Sequence, residues 1–214
     1  GFVVQPRLWV AEEEVKKVLK TNEGFVIGFR DVTNAQSERT SIFAVVPYAG
    51  YANNLPYVVS PDKDKYLLLA NCNNHIFDFI SRKKIAGNHM NFYILNQLPV
   101  IPKELYSDRV KDRIKEIVLK LTYVSYDLKD FATYLGYKGK PYIWNDRERN
   151  DLEAELTSIY AHLYKLNIEE TATIMEEFSV IKKKEMEKFD KYLTKEMVIT
   201  KFTELSDLFA NIGR

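Results

Sequence analysis

One cysteine in 214 residues, Cys72, excludes a disulfide framework and a cysteine-ligated zinc site, and it fits a reducing cytosol. Cys72 lies in an apolar run, where a small thiol packs as core rather than acting as a nucleophile. The three histidines, His75, His89 and His162, are scattered, and His75 and His162 fall inside helical patterns. Charge of one sign is also lacking. Thirty-one Lys and Arg stand against 30 Asp and Glu, a net charge of +1, so any nucleic-acid contact must be a local patch. No apolar run approaches the ~20 residues a membrane span needs, and no secretory leader precedes the first strand-like run. Missing too are the Walker phosphate loop, GxSxG, HExxH and the dinucleotide glycine fingerprint. With no recognisable nucleophile or cofactor loop, the expectation is a chain that does not itself catalyse a reaction and holds no cofactor or metal. It opens on Gly1 rather than Met, directly on an apolar run, which suggests a piece of a longer protein.

What is present is enough for a core: 46% hydrophobic residues, 13% aromatic. Two textures follow one another. Up to Pro102, short β-branched and aromatic runs alternate with polar turns. Gly1–Val10 reads as extended, and Ala11 begins a short helix carrying Val15, Val18 and Leu19. Phe25–Asp31, Thr40–Pro47 and Tyr57–Val59 read as strands, Leu67–Ile80 as one helix and Phe92–Leu95 as a further strand. Pro99 and Pro102 continue neither ladder nor helix and mark a boundary. From Ser107 onward the pattern is helical, with stripes such as Val110, Ile114, Ile117 and Val118, and further runs over 127–135, 146–164, 168–178 and 194–209. Residues 1–105 carry 12 basic and 10 acidic side chains, the remainder 19 and 20. The expected fold class is α+β. A mixed, largely antiparallel twisted sheet with helices occupies residues 1–104, and an all-helical part occupies 105–214.

Four stretches carry chemistry. Arg30, Asn34 and Arg39 cluster with acids around the loop between two strands; they form either an Arg–carboxylate network or a contact to phosphate and base edges. Tyr48–Asn54 reads as a turn with stacking groups. Arg82–Asn91 (RKKIAGNHMN) sets three cations, Arg82, Lys83 and Lys84, ahead of Asn88, His89 and Asn91 on a loop loosened by Gly87. Cations favour a helix C-terminus, yet amide and imidazole donors beside them suit the major groove, where an Asn amide pairs with adenine N6 and N7. Ile181–Lys195 interleaves lysines and acids and reads by default as a solvated face, with a phosphate-gripping arm the lesser reading.

The residues then resemble a known family. Phe29–Pro47 (FRDVTNAQSERTSIFAVVP) is similar to the "FRDIT-A-NERT-I-A-IP" segment of large restriction–modification adenine methyltransferases. Leu68–Pro99 resembles their "LLA-LNS-VFDF-AR-K-GGTHLN-F-L-QLP" segment. The likeness continues in order through Leu121-Thr122-Tyr123, Pro141–Trp144, Leu152–Leu156, Ala161–Tyr164 and Glu177-Phe178. In single-chain type IIG and type ISP enzymes such a segment follows the methyltransferase core and serves as target recognition domain. The resemblance implies a partner domain that binds S-adenosylmethionine and methylates adenine N6 after flipping the base, while this chain chooses the double-stranded DNA sequence in the bacterial cytoplasm. The chain departs from the family at Ala86-Gly87-Asn88-His89, where the family has "GGTH". The tetrapeptide that holds the flipped base is absent, since Asn54-Leu55-Pro56-Tyr57 lacks its first proline.

On this reading the expected DNA contacts are Arg30, Asn34, Arg39, Arg82, Lys83, Lys84, Asn88, His89 and Asn91. The competing class is a structural module that docks the methyltransferase or a nuclease domain; near-zero net charge favours it.

Overall fold

In a computed structural model of the protein, residues 9–19, 21 and 23–209 are described. They form a three-stranded antiparallel sheet and eleven helices, with a helical C-terminal part, an α+β fold. The strands are β1 (Phe25–Phe29), β2 (Phe43–Pro47) and β3 (Tyr57–Val58), in the order β2-β1-β3. The central strand is FVIGF, apolar at every position and buried throughout, as a strand covered on both faces must be. Phe25 pairs with Pro47 and Phe29 with Phe43, so Pro47, which has no N–H, sits at the last pair of an edge strand. Gly28 pairs with Tyr57. A Cβ there would lie 3.1 Å from the Leu55 side chain, so the glycine answers a close approach rather than a bulge.

The helices are α1 (Glu12–Val18), α2 (Lys65–Asn73), α3 (His75–Lys84), α4 (Phe92–Leu95), α5 (Asp108–Thr122), α6 (Lys129–Tyr134), α7 (Asp146–Leu163), α8 (Ile168–Glu176), α9 (Ser179–Phe189), α10 (Leu193–Glu204) and α11 (Ser206–Phe209). The structure differs from the sequence reading at two places, and a third reading is not tested. The extended reading of Gly1–Val10 falls largely on residues outside those described. Leu67–Ile80 is two helices, not one. Asn74 is extended (ψ 161°); its Nδ2 donates to the Asn71 carbonyl at 2.6 Å while its Oδ1 accepts the Phe77 N–H at 3.0 Å. One amide thus ends α2 and starts α3. Phe92–Leu95 is a helical turn rather than a strand, because Asn91 Oδ1 accepts the Ile94 N–H and caps it.

The main core runs from β1 through α2 and α3 to α5 and α7. Ile27, Phe29, Leu69, Phe77, Ile114 and Tyr160 are its centre, each at most 2% exposed. Burying each such side chain contributes about 1.5–3 kcal/mol. This cluster joins residues on both sides of position 104. Polar links do the same: Tyr160 donates to the Leu67 carbonyl at 2.9 Å, and Asn71 Nδ2 donates to the Tyr164 hydroxyl at 2.9 Å. A second cluster sets Ile76 of α3 against Met175, Phe178, Val198 and Phe202. No helix among the described residues is long and apolar enough to cross a membrane.

Candidate functional site

Two loops far apart in sequence meet at one edge of the sheet. Chain leaves β1 at Arg30 into the loop 31–42, and leaves α3 at Lys84 into the loop 85–91. The Thr33 N–H donates to the Asn88 carbonyl at 3.0 Å and the Met90 N–H to the Asp31 carbonyl at 2.8 Å, forming an antiparallel bridge between Val32 and His89. Buried Ile85 and Met90 anchor the second loop from below. Asn34, Asn88 and His89 therefore stand on one exposed ridge, with Lys83 and Lys84 at its root. His89 Nδ1 lies 2.7 Å from Asp31 Oδ2. A carboxylate can only accept, so Nδ1 carries a proton toward it and Nε2 is the ring nitrogen left facing outward.

Beneath the ridge is a charged hub that sequence reading missed. Asp78 of α3 is fully buried. Its carboxylate accepts from Arg39 Nε (2.7 Å), Arg82 Nε (2.9 Å) and the Thr40 N–H (3.0 Å). Arg82 turns its remaining donors onto the carbonyls of Ala35 (3.0 Å), Ser37 (2.8 Å) and Glu38 (2.7 Å), and its guanidinium lies 4.4 Å from the Phe178 ring centre. Arg39 also donates to the Asn73 carbonyl at 2.5 Å. Arg30 donates to Thr33 Oγ1 and the Arg39 carbonyl; its Nε is buried without a partner among the described residues. Of the two loop arginines, Arg39 pairs with a carboxylate outside the loop, Asp78, and Arg30 pairs with none among the described residues; the loop's own acids, Asp31 and Glu38, face His89 and Lys184 instead. The guanidinium forks of Arg39 and Arg82 are committed inward and hold the loop's shape.

The other expected site residues divide similarly. Asn91 caps α4 with its Oδ1. Asn34 is exposed, and its Oδ1 accepts from the Gln36 N–H at 2.9 Å, the geometry of an Asx-turn. Lys83 pairs with Glu177 at 2.7 Å and Lys84 reaches Gln97 at 3.4 Å; both lysines are exposed. Gly87 is not required by the loop, for a Cβ there meets open space and its φ is not left-handed. Sequence reasoning also passed over Val32 (50% exposed) and Tyr93 (77% exposed), apolar groups bordering the ridge. The signal for Asp78 was present as its i,i+4 spacing to Arg82; the signal for Tyr93 was hidden by the strand reading.

No protein-family model, curated protein or solved structure matches this chain. The ridge must therefore be read from its own chemistry. It offers hydrogen-bonding groups of both kinds and flexible cations. Cys72 is fully buried, and burial pushes its thiol well up from the ordinary range. His75 is buried against Thr157 Oγ1 at 2.9 Å, and burial, reinforced by Arg39 and Arg82, holds its ring neutral by pulling its pKa well down. His162 is stacked between Phe202 and Phe209, and burial lowers its pKa as well. Among the described residues no group of three or more His, Cys, Asp and Glu side chains is placed to hold a metal ion.

Proposed function

We propose that the chain is the sequence-specific, double-stranded DNA recognition part of a restriction–modification adenine-N6 methyltransferase, acting in the bacterial cytoplasm beside a catalytic domain that binds S-adenosylmethionine. The observation that supports it is the two-loop ridge. Two adjacent chains lie about 4.8 Å apart, and a ribbon of that width enters a major groove about 12 Å wide. Asn88, His89 and Asn34 read base edges. Lys83 and Lys84 contact phosphates; their present partners are exposed, and surface pairs of this kind are worth only about 0–1 kcal/mol, so phosphate can displace them. Arg30, Arg39, Arg82 and Asn91 act as scaffold that holds the ridge. Fluorescence anisotropy with duplex DNA tests this. Replacing Lys83 and Lys84 by Gln lowers the slope of log K against log salt by about 1.8. Unchanged affinity after replacing Lys83, Lys84, Asn88 and His89 together overturns the proposal.

A docking role is favoured by a different surface. Trp9, Val10 and Val18 are 85%, 56% and 70% exposed beside Tyr51 and Tyr57, lining an apolar groove of about 530 Å³. Exposed apolar groups gathered in one place suit a protein contact, and the methyltransferase domain is the partner this reading assigns to it.

A further inference from the structure

Helix α9 buries none of its eleven residues. Its apolar contact with the body is made near its start, where half-buried Ile181 packs against the cluster around Phe178. Glu185 is turned toward α10, where it accepts the Thr194 N–H at 2.9 Å and the Thr194 hydroxyl at 2.6 Å. Residues 186–191 are all exposed; Asp190 reverses the chain in the left-handed conformation (φ 55°), and Tyr192 re-enters the body by donating to the Met175 carbonyl at 2.8 Å. The α9–α10 corner is thus a projecting hairpin. Lys182 pairs with Glu176 at 2.6 Å at its base, and farther along Lys184 forms an ion pair with Glu38 of the loop 31–42, which ties the hairpin to the ridge loop. Lys188 follows Lys184 by four residues and so lies on the same face, about 6 Å farther along the helix. Both lysines are exposed, and among the described residues Glu38 is the one acid paired with Lys184.

We infer that the α9 face bearing Lys184 and Lys188 is a second phosphate-contacting arm, continuous with the two-loop ridge, and that Glu38 occupies Lys184 until DNA phosphate displaces it. This rests on the DNA-recognition reading and extends its footprint from the ridge onto the helical half. The pair is exposed on both sides, 63% at the Lys184 side chain and 48% at Glu38. It is therefore a weak, exchangeable contact, and changing either partner leaves the fold intact.

The test is duplex binding by the whole chain, measured by anisotropy of a fluorescent mixed-sequence duplex across a salt series. Lys184→Gln with Lys188→Gln lowers the salt slope by about 1.8; at one contact each, the loss of affinity between 50 and 200 mM salt shrinks about threefold per lysine. Glu38→Gln tightens binding at every salt concentration, since no pair has then to be broken, and has no such effect when Lys184 is already Gln. If the α9 variants leave the slope where it was and Glu38→Gln leaves the affinity where it was, while Lys83→Gln and Lys84→Gln lower the slope, the arm is overturned and the ridge stands. If the native chain shows no salt-dependent duplex binding, both fall.

Discussion

Asp78→Asn is the sharpest test of how the ridge is held. The substitution keeps the side chain's size and one acceptor but removes the charge that two arginines share. Asp78 is fully buried, and the Arg82 and Arg39 side chains are only 8% and 19% exposed. Breaking a buried pair by removing one partner costs about 3–5 kcal/mol, because the remaining charge is left uncompensated. Two features pull the figure toward the lower end. Arg82 keeps three carbonyl acceptors and Arg39 keeps one. One feature pulls it up: the new amide nitrogen faces donors, since Thr40 N–H and the arginine Nε atoms all point at the carboxylate. The expected loss is about 3–4 kcal/mol, a downward shift of about 1.5–2 M in the urea midpoint for a slope near 2 kcal/mol/M. Far-UV circular dichroism in a urea series measures it, with amide hydrogen exchange at Thr40 and Ser41 as the local readout. Lys83→Gln, at an exposed pair, is the control and costs under about 1 kcal/mol. A loss at Asp78 no larger than that control would refute the reasoning, because the hub would then behave as a solvated surface pair.

Further outcomes follow from other buried groups. Stability falls as pH drops below about 6.5, the ordinary histidine value. Buried His75 stays neutral while the unfolded chain takes up the proton; above that pH both states are neutral and the effect vanishes. The slope is at most about 1.4 kcal/mol per pH unit for one residue, and urea midpoints from pH 7.5 to 5 should flatten in His75→Asn. Some slope remains there from His162, whose pKa is also lowered. Asn74→Ala removes the end of α2 and the start of α3 together, so it costs about 1–2 kcal/mol, measured by thermal melting; a change under a few tenths would mean the caps are replaced by water.

Much of the fold was legible in the sequence. The three strands were visible because β-branched and aromatic runs have few other uses, and the long C-terminal helices because their apolar residues recur at three- and four-residue spacing. The break at Asn74 was not, since the apolar period runs on through it and only the side-chain bonds of one amide stop the helix. Four apolar residues at Phe92–Leu95 fit either period, and the cap from Asn91 decided between them. For the site, exposure of Lys83, Lys84, Asn88 and His89 followed from local composition. The inward commitment of Arg39 and Arg82 depended on a carboxylate 39 residues from the first of them, across the sheet edge. The pairing of Val32 with His89 spans a similar gulf, and nothing in either loop alone announces it.

The stitch between the two loops is made by main-chain groups, Thr33 N–H to Asn88 carbonyl and Met90 N–H to Asp31 carbonyl. Every amino acid supplies a carbonyl, and all but proline supply the N–H, so the stitch is blind to what stands at positions 32, 87 and 88. Asn88 lends it only a carbonyl, and Gly87 faces open space. The outward residues can therefore be exchanged like type in a fixed frame. New side chains change the chemistry the ridge presents while Asp78, Ile85 and Met90 keep its shape.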